Sequence, residues 1–419
     1  MSTSAQPVTA GATARRSRGA GRGAGRAPVI AGLGMTEIGK VYGRTAAQFA
    51  ADAVRRAVSD AGLRLADVDG LLTSGGVSRG VGLGLQRDLG LSDLRLLSEV
   101  NAYGSTAGAM VQFASMAVRD GMSQVVACVF ADAPLREDRA AGDAYAGRRG
   151  QAGADASRRP PAGWAGLMAA SGIAGPNPLY ALAARRHMLR YGTTSEQLGA
   201  IAVAQRAWAA LNPVAQLREP ITIDDYLASR WIAEPFRLLD CCLVSNGGIA
   251  VIVTTAERAA GLAQAPVHVL GWGQGHPGNS FRRNDNFGLV TGAAISGPAA
   301  LGMAGLDLAE VDVAEIYDCY TFTVLITLED YGFCGKGDGG PFAASGVLGP
   351  SGSVRVNTGG GQLSGYYLWG MTPLSEAVIQ ARGHGGKRQA PRRDVVLVSG
   401  NGGVLDHHST LVLSPHPPG

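Results

Sequence analysis

Two stretches 243 positions apart carry one pattern. AGLRLADVDGL (61–71) and AGLDLAEVDVAEI (304–316) match in register, Leu63 with Leu306, Leu65 with Leu308, Val68 with Val311 and Asp69 with Asp312. Each follows an alanine-rich, helix-favouring stretch and leads into a short apolar segment suited to a buried strand. A second correspondence follows in the same order. NAYGSTAGAMVQFASMAVRDG then SQVVACVFADA, and GGGQLSGYYLWGMTPLSEAVIQARG then DVVLVSGNGGV, each read as a glycine- and serine-containing turn, a helix and a valine-rich strand. Two ordered copies of helix, strand, helix, strand predict an α/β fold whose halves are related by a pseudo-twofold axis.

The repeat sets the organisation: an N-terminal half over 28–265 and a C-terminal half over 266–419. Residues of about 132–235 differ in texture and read as an insertion. Within it, REDRAAGDAYAGRRGQAGADASRRPPAGW is a polar loop with proline stops. NPLYALAARRHMLRYGTTSEQLGAIAVAQRAWAALNP is two helices, the second opened by a Thr-Ser cap with Glu196 and Gln197 behind it. Such an insertion between two halves is expected to cover a substrate channel.

Charge narrows the partners. The net of +4 resides in residues 1–27, which hold Arg15, Arg16, Arg18, Arg22 and Arg26 and no acid; taking those five from 37 basic residues leaves 32 against 33 acidic ones, a net of −1. The Gly/Arg/Ala-rich tail has no apolar period and is expected to be disordered, with no nucleic-acid partner for the remainder. The 46% hydrophobic content includes no apolar run of about 18 residues, so neither a membrane span nor a secretory leader is expected, and the compartment is expected to be the cytoplasm. Cys128, Cys241, Cys242, Cys319 and Cys334 form no CxxC pair, which argues against a zinc site or a disulfide framework. The His407–His408 pair reads as a polar loop rather than a metal site.

AEIYDCYTFTV (314–324) puts two tyrosines, an aspartate and a cysteine where an apolar strand meets a helix. Buried polar groups are costly unless paired or used. This stretch, with YGTTSEQLGAIAVAQRAWAALNP, EPFRLLDCCLVSNGGIAVIV, VDVAEIYDCYTFTVLITLEDYGFCGKGDGG and VNTGGGQLSGYYLWGM, resembles the thiolase superfamily over residues 28–414. Within it the chain is most similar to the sterol-carrier-type thiolases and thiolase-like lipid-transfer proteins, and there to thiolase-fold steroid side-chain aldolases. The resemblance implies a layered αβαβα fold of two repeated halves with an inserted loop domain, a homodimer, a coenzyme A thioester as substrate with no tightly bound cofactor, and a small partner carrying an OB fold and a zinc ribbon.

Against the family's motifs the departures are consistent. The nucleophile loop falls in EVNAYGSTAG, which lacks cysteine and offers Asn101, Tyr103, Gly104 or Ser105. GHP falls on Gly365, Tyr366 and Tyr367; CxG falls on GNGG, with Gly400 at the cysteine; HDCF falls on Tyr317, Asp318, Cys319 and Tyr320. Without a sulfur nucleophile a β-hydroxyacyl thioester can still fragment by retro-aldol reaction, if a base takes the hydroxyl proton and the enolate is stabilised and reprotonated. Tyr317 and Tyr366 are the expected base and acid, in either order. Asp318 orients the loop or caps the following helix, Cys319 packs, and backbone N–H groups around Gly361, Gly400, Gly402 and Gly403 are candidate oxyanion donors. Tyr103 and Ser105 are the nucleophile-loop candidates, and two alternatives remain at this level: an acyltransferase of secondary metabolism with Ser105 or a partner-supplied group in place of the cysteine, and a non-catalytic acyl-CoA or lipid carrier.

Overall fold

A computed structural model describes residues 24–78, 80–144, 166–167, 170–173, 175–278 and 286–418. The arginine-rich tail expected at residues 1–27 lies outside them up to residue 23, as does most of the polar part of the insertion, 145–165.

In chain order the strands are β1 (Pro28–Met35), β2 (Gly70–Gly75), β3 (Leu96–Glu99), β4 (Val126–Asp132), β5 (Trp231–Ala233), β6 (Phe236–Arg237), β7 (Gly247–Thr255), β8 (Val267–Gly275), β9 (Val313–Ile316), β10 (Arg355–Val356), β11 (Val396–Gly402) and β12 (His407–Ser414). The helices used below are α1 (Ala46–Asp60), α2 (Thr106–Arg119), α3 (Pro176–Tyr191), α4 (Ser195–Ala210), α5 (Ala293–Ala304), α6 (Thr321–Tyr331) and α7 (Met371–Arg382). Strand order runs β3-β2-β4-β7-β1 in one half and β10-β9-β11-β12-β8 in the other, joined where β1 meets β8 antiparallel. The pairing sense matches strand for strand: β2 is parallel to β3 and β4, β9 to β10 and β11, while β7 and β12 run antiparallel to both neighbours. Helix α1 covers the first set of strands and α5 the second; α2 and α7 touch strands of both halves and fill the space between. The result is the expected five layers, αβαβα.

The repeated sequence has a physical reason. Asp69 ends one copy and its carboxylate accepts the N–H groups of Gln124 and Val125, at the start of β4. Asp312 ends the other and accepts those of Asp394 and Val395, ahead of β11. Each aspartate thus sets where the neighbouring parallel strand begins. Alternate glycines do the matching job on the outer face. A Cβ on Gly34 would stand 2.2 Å from the Ala53 carbonyl of α1, and one on Gly273 2.3 Å from the Ser296 carbonyl of α5. Only glycine lets a helix backbone lie so close to a strand.

Helix ends follow the capping chemistry the sequence carries. Thr45 caps α1 and Thr194 caps α4, each bonded to the N–H three residues on, with Gln48 and Gln197 returning the bond. Phe49, Ala50, Ala53, Val54 and Ala57 bury one face of α1; each fully buried residue of valine or phenylalanine size stabilises the fold by roughly 1.5–3 kcal/mol. The insertion contributes α3, α4 and the β5–β6 hairpin, and α4 packs on α6 and on the turn at 361–365 of the C-terminal half. Among the described residues, no helix is long and apolar enough to cross a membrane. His407 and His408 do not form a loop: they open β12, and His408 is buried with its Nε2 bonded to the Ser399 hydroxyl at 2.8 Å. Burial holds its pKa down at about 3, so it packs as a neutral ring.

Candidate active site

The two inner helices begin at near-identical elbows. Tyr103-Gly104-Ser105-Thr106 enters α2 and Trp369-Gly370-Met371-Thr372 enters α7. In the first the Ala102 N–H donates to Thr106 Oγ1 at 2.8 Å; in the second the Leu368 N–H donates to Thr372 Oγ1 at 2.9 Å. Tyr103 and Trp369 both hold left-handed backbone, at φ 52° and 49°. For bulky residues this costs roughly 1–2 kcal/mol each. The glycines that follow meet across the pseudo-axis, where a Cβ on Gly370 would lie 2.4 Å from the Gly104 carbonyl oxygen. The positive ends of two helix dipoles therefore converge on one spot.

Tyr317 lies at that spot. It follows β9, and its N–H donates to the Ser399 carbonyl at 3.0 Å, which extends the strand by one residue. Its ring lies against Gly104, where a Cβ would come within 2.3 Å of two ring atoms. Its hydroxyl is 3.2 Å from the hydroxyl of Tyr367.

The expected partner, Tyr366, is elsewhere. Its hydroxyl pairs with Ser375 Oγ at 2.9 Å, and its ring borders a small buried cavity with Glu315, Asp318, Asn357 and Glu376. That cavity has room for about one water molecule. Burial first, then the Glu376 carboxylate, pushes the Tyr366 phenol well up. The cause of the exchange is local: Tyr366 has extended backbone, φ −160° and ψ 161°, so consecutive side chains point to opposite sides. One of the two tyrosines must face the inner-helix junction and the other the interior, and the junction receives Tyr367.

Asp318 explains how that segment is held. Residues Gly361–Gly365 form one π-helical turn, closed by the Tyr366 N–H on the Gly361 carbonyl at 3.2 Å. The buried Asp318 carboxylate accepts the Gln362 N–H at 2.9 Å and the Leu363 N–H at 3.2 Å. It caps this turn, not helix α6. Gly361 permits the approach, since a Cβ there would stand 2.1 Å from Asp318 Oδ2. Burial raises the Asp318 pKa to about 7, against the lowering pull of the Gln362 and Leu363 N–H groups. Single π turns are rare and gather at functional sites.

The remaining candidates fall around this centre. Gly400 and Gly402 sit inside the paired length of β11, opposite Ser409 and His407. Their lack of Cβ admits the 102–105 backbone: added atoms would lie 2.8 Å from Ser105 Cα and 2.1 Å from the Ala102 carbonyl. Gly403 is left-handed at φ 68°, and its carbonyl accepts the Tyr180 hydroxyl at 2.6 Å. Ser105 is buried, and its hydroxyl donates to the Ala102 carbonyl at 3.2 Å, which gives an acyltransferase nucleophile no activating base. Tyr103 projects outward, 52% exposed. All five cysteines are free, and burial raises each thiol pKa, those of Cys319 and Cys334 to about 12. None is a ready thiolate.

Three residues were not legible as site residues. Tyr367 was one register step away. Trp369 carries an aromatic-Gly-x-Thr pattern that also occurs at Tyr103, a signal visible only once both elbows are compared. Tyr180 lies on α3 of the insertion, its ring 4.8 Å from Tyr320, whose hydroxyl donates to Asn177 Oδ1 at 2.5 Å. Nothing in a helix-favouring stretch marks it.

Comparison with known proteins gives a consistent set. A family model described as thiolase C-terminal domain-like matches residues 273–415. A steroid side-chain-cleaving aldolase of Thermomonospora curvata is 38% identical over 382 residues, covering 90% of this chain and 95% of that protein. A 17-hydroxy-3-oxo-4-pregnene-20-carboxyl-CoA lyase of Mycobacterium tuberculosis is 36% identical over 390 residues, covering 89% and 96%. Among solved structures, an Ltp2-ChsH2(DUF35) aldolase superimposes with a TM-score of 0.81 at 35% identity, over 94% of this chain and 98% of that one.

Proposed function

The chain belongs to the thiolase superfamily, among its steroid side-chain-cleaving aldolases, and from that membership we propose that Tyr317 and Tyr367 form the proton relay of its carbon–carbon cleavage. The protein is a thiolase-fold lyase acting on a coenzyme A thioester. The substrate class that fits is a β-hydroxyacyl-CoA whose hydroxyl carbon belongs to a steroid or similarly branched skeleton. One phenol accepts the hydroxyl proton as it passes its own to the other. The carbonyl forms at that carbon, the Cα–Cβ bond breaks, and its electron pair passes into the thioester as an enolate. The second phenol delivers its proton to the enolate carbon, which releases a ketone and a shorter acyl-CoA and leaves both phenols protonated as at the start.

The contact at 3.2 Å between the two hydroxyls is the observation that carries this reading. Two supports stand beside it. The N-termini of α2 and α7 converge where negative charge develops, in a water-poor site where such dipoles act strongly. Asp318 fixes the π turn that carries Tyr367 and acts as a positioning residue. Gly361, Gly400 and Gly402 let backbones approach one another.

A homodimer in the cytoplasm, working with a small OB-fold and zinc-ribbon protein, remains our expectation for the assembly. The partner is supported by the similar solved aldolase, whose name joins two components.

The test is release of ketone and acyl-CoA from a 17-hydroxy steroid carboxyl-CoA by three variants. Tyr317→Phe and Tyr367→Phe should each lower kcat by roughly 100-fold or more, the scale of losing a general acid or base. Tyr366→Phe should retain most activity. A large loss in Tyr366→Phe with near-normal Tyr367→Phe would reverse the assignment.

A further inference from the structure

Tyr103 and Trp369 hold equivalent places on the two inner-helix elbows, and both keep an aromatic side chain on left-handed backbone. Backbone of this kind persists in bulky residues only where the surrounding structure holds it, and it gathers at functional sites. Of the five non-glycine residues with positive φ among those described, Tyr103 and Trp369 are the two that stand on the inner-helix elbows.

The two rings meet, with centroids 6.1 Å apart. Trp369 is 8% exposed and stacks on Phe130 at 5.0 Å; Tyr103 is 52% exposed and stacks on His407 at 6.2 Å with ring planes 12° apart. Together they make a strip of ring faces that is anchored at Phe130 and open at Tyr103. The strip begins one residue from the reacting centre, because Gly104, next to Tyr103, is the residue on which the Tyr317 ring rests.

We propose that Tyr103 and Trp369 are specificity-determining residues that receive the ketone-forming half of the substrate and favour a flat, fused-ring carbonyl product. The inference deepens the aldolase reading and rests on it. The strip has no lysine or arginine among its members, so it has nothing to offer the phosphates of coenzyme A. What it presents is planar apolar area, which matches the carbon skeleton on the other side of the bond that breaks. An exposed ring on such a surface gains by covering apolar area, and a fused-ring ketone covers far more than an acyclic one.

The test uses the full chain and Tyr103→Gly. Glycine suits left-handed backbone, so the variant removes the ring without adding strain. Equilibrium dialysis with a steroid 17-ketone should show binding weakened at least about tenfold, the usual scale for losing an apolar contact in a pocket. In turnover, kcat/KM for a fused-ring β-hydroxyacyl-CoA should fall at least about tenfold further than for an acyclic tertiary one. Unchanged ketone binding, or equal falls for both thioesters, would overturn the proposal. Wild-type protein that binds the ketone but cleaves neither thioester would count against the aldolase reading, and the dialysis comparison would then decide this proposal alone.

Discussion

The elbow at Tyr103 and the elbow at Trp369 share a backbone, a threonine cap and a glycine at the pseudo-axis, yet they serve the site differently. In the N-terminal elbow the glycine is a seat for the Tyr317 ring and the aromatic ring turns outward. The C-terminal elbow is fed by a π turn pinned by Asp318, which carries Tyr366 and Tyr367 into opposite environments. Both phenols of the proposed relay come from the C-terminal copy. The duplicated scaffold supplies two helix dipoles, and the departures from symmetry supply the two phenols of the proposed relay.

The largest expected effect comes from filling the seat. Gly104→Ala would place a Cβ 2.3 Å from the Tyr317 ring and 2.1 Å from the Asn401 carbonyl. We expect kcat to fall by roughly 100-fold, since a displacement on the order of 1 Å at a reacting group has that cost. Steady-state kinetics on folded variant would check it, and near-normal turnover would show that Tyr317 does not need this position.

Asp318 tests the asymmetry by pH. Its pKa is about 7 in the folded protein against an ordinary carboxyl value of 3.8, so between these two pH values the folded state holds a proton that the unfolded chain has released. Its contribution to stability is full below about 4 and is lost as pH rises toward about 7. Asp318→Asn, which cannot ionise, should remove that slope. Urea unfolding between pH 4 and pH 8 should show wild type losing ground to the variant as pH rises; parallel curves would mean the carboxyl is not held protonated.

The smallest effects should come from the matched caps. Thr106→Val and Thr372→Val each leave one N–H without its acceptor, a loss of about 1–3 kcal/mol in unfolding free energy. The two should lose similar stability. Only Thr372→Val should also slow turnover, because the Thr372 hydroxyl donates to the Tyr366 carbonyl at 3.2 Å. Equal activity in both would argue that the Tyr366–Tyr367 segment is positioned by other contacts.

These contrasts show what could be seen in advance. The duplication was visible because Asp69 and Asp312 do the same work at the same place in each half, and work of that kind leaves matching residues. The motif positions around Tyr317 were visible for a similar reason. The proposed relay partner was not, because Tyr366 and Tyr367 are adjacent tyrosines on extended backbone and their facing depends on a π turn that no local pattern announces. Asp318 could be read as a capping residue, but its target lies 44 positions away at Gln362 and is a tertiary contact. Tyr180 reaches the site from an inserted helix whose own sequence only asks to be helical.

The central claim is that Tyr317 and Tyr367 work as one unit, and a double-mutant cycle on aldol cleavage addresses it directly. If one proton path runs through both hydroxyls, Tyr317→Phe combined with Tyr367→Phe should be about as slow as either single variant, as for other groups that act together. Losses that multiply, to roughly 10,000-fold for two steps of about 100-fold each, would mean the two phenols act independently and would contradict the relay.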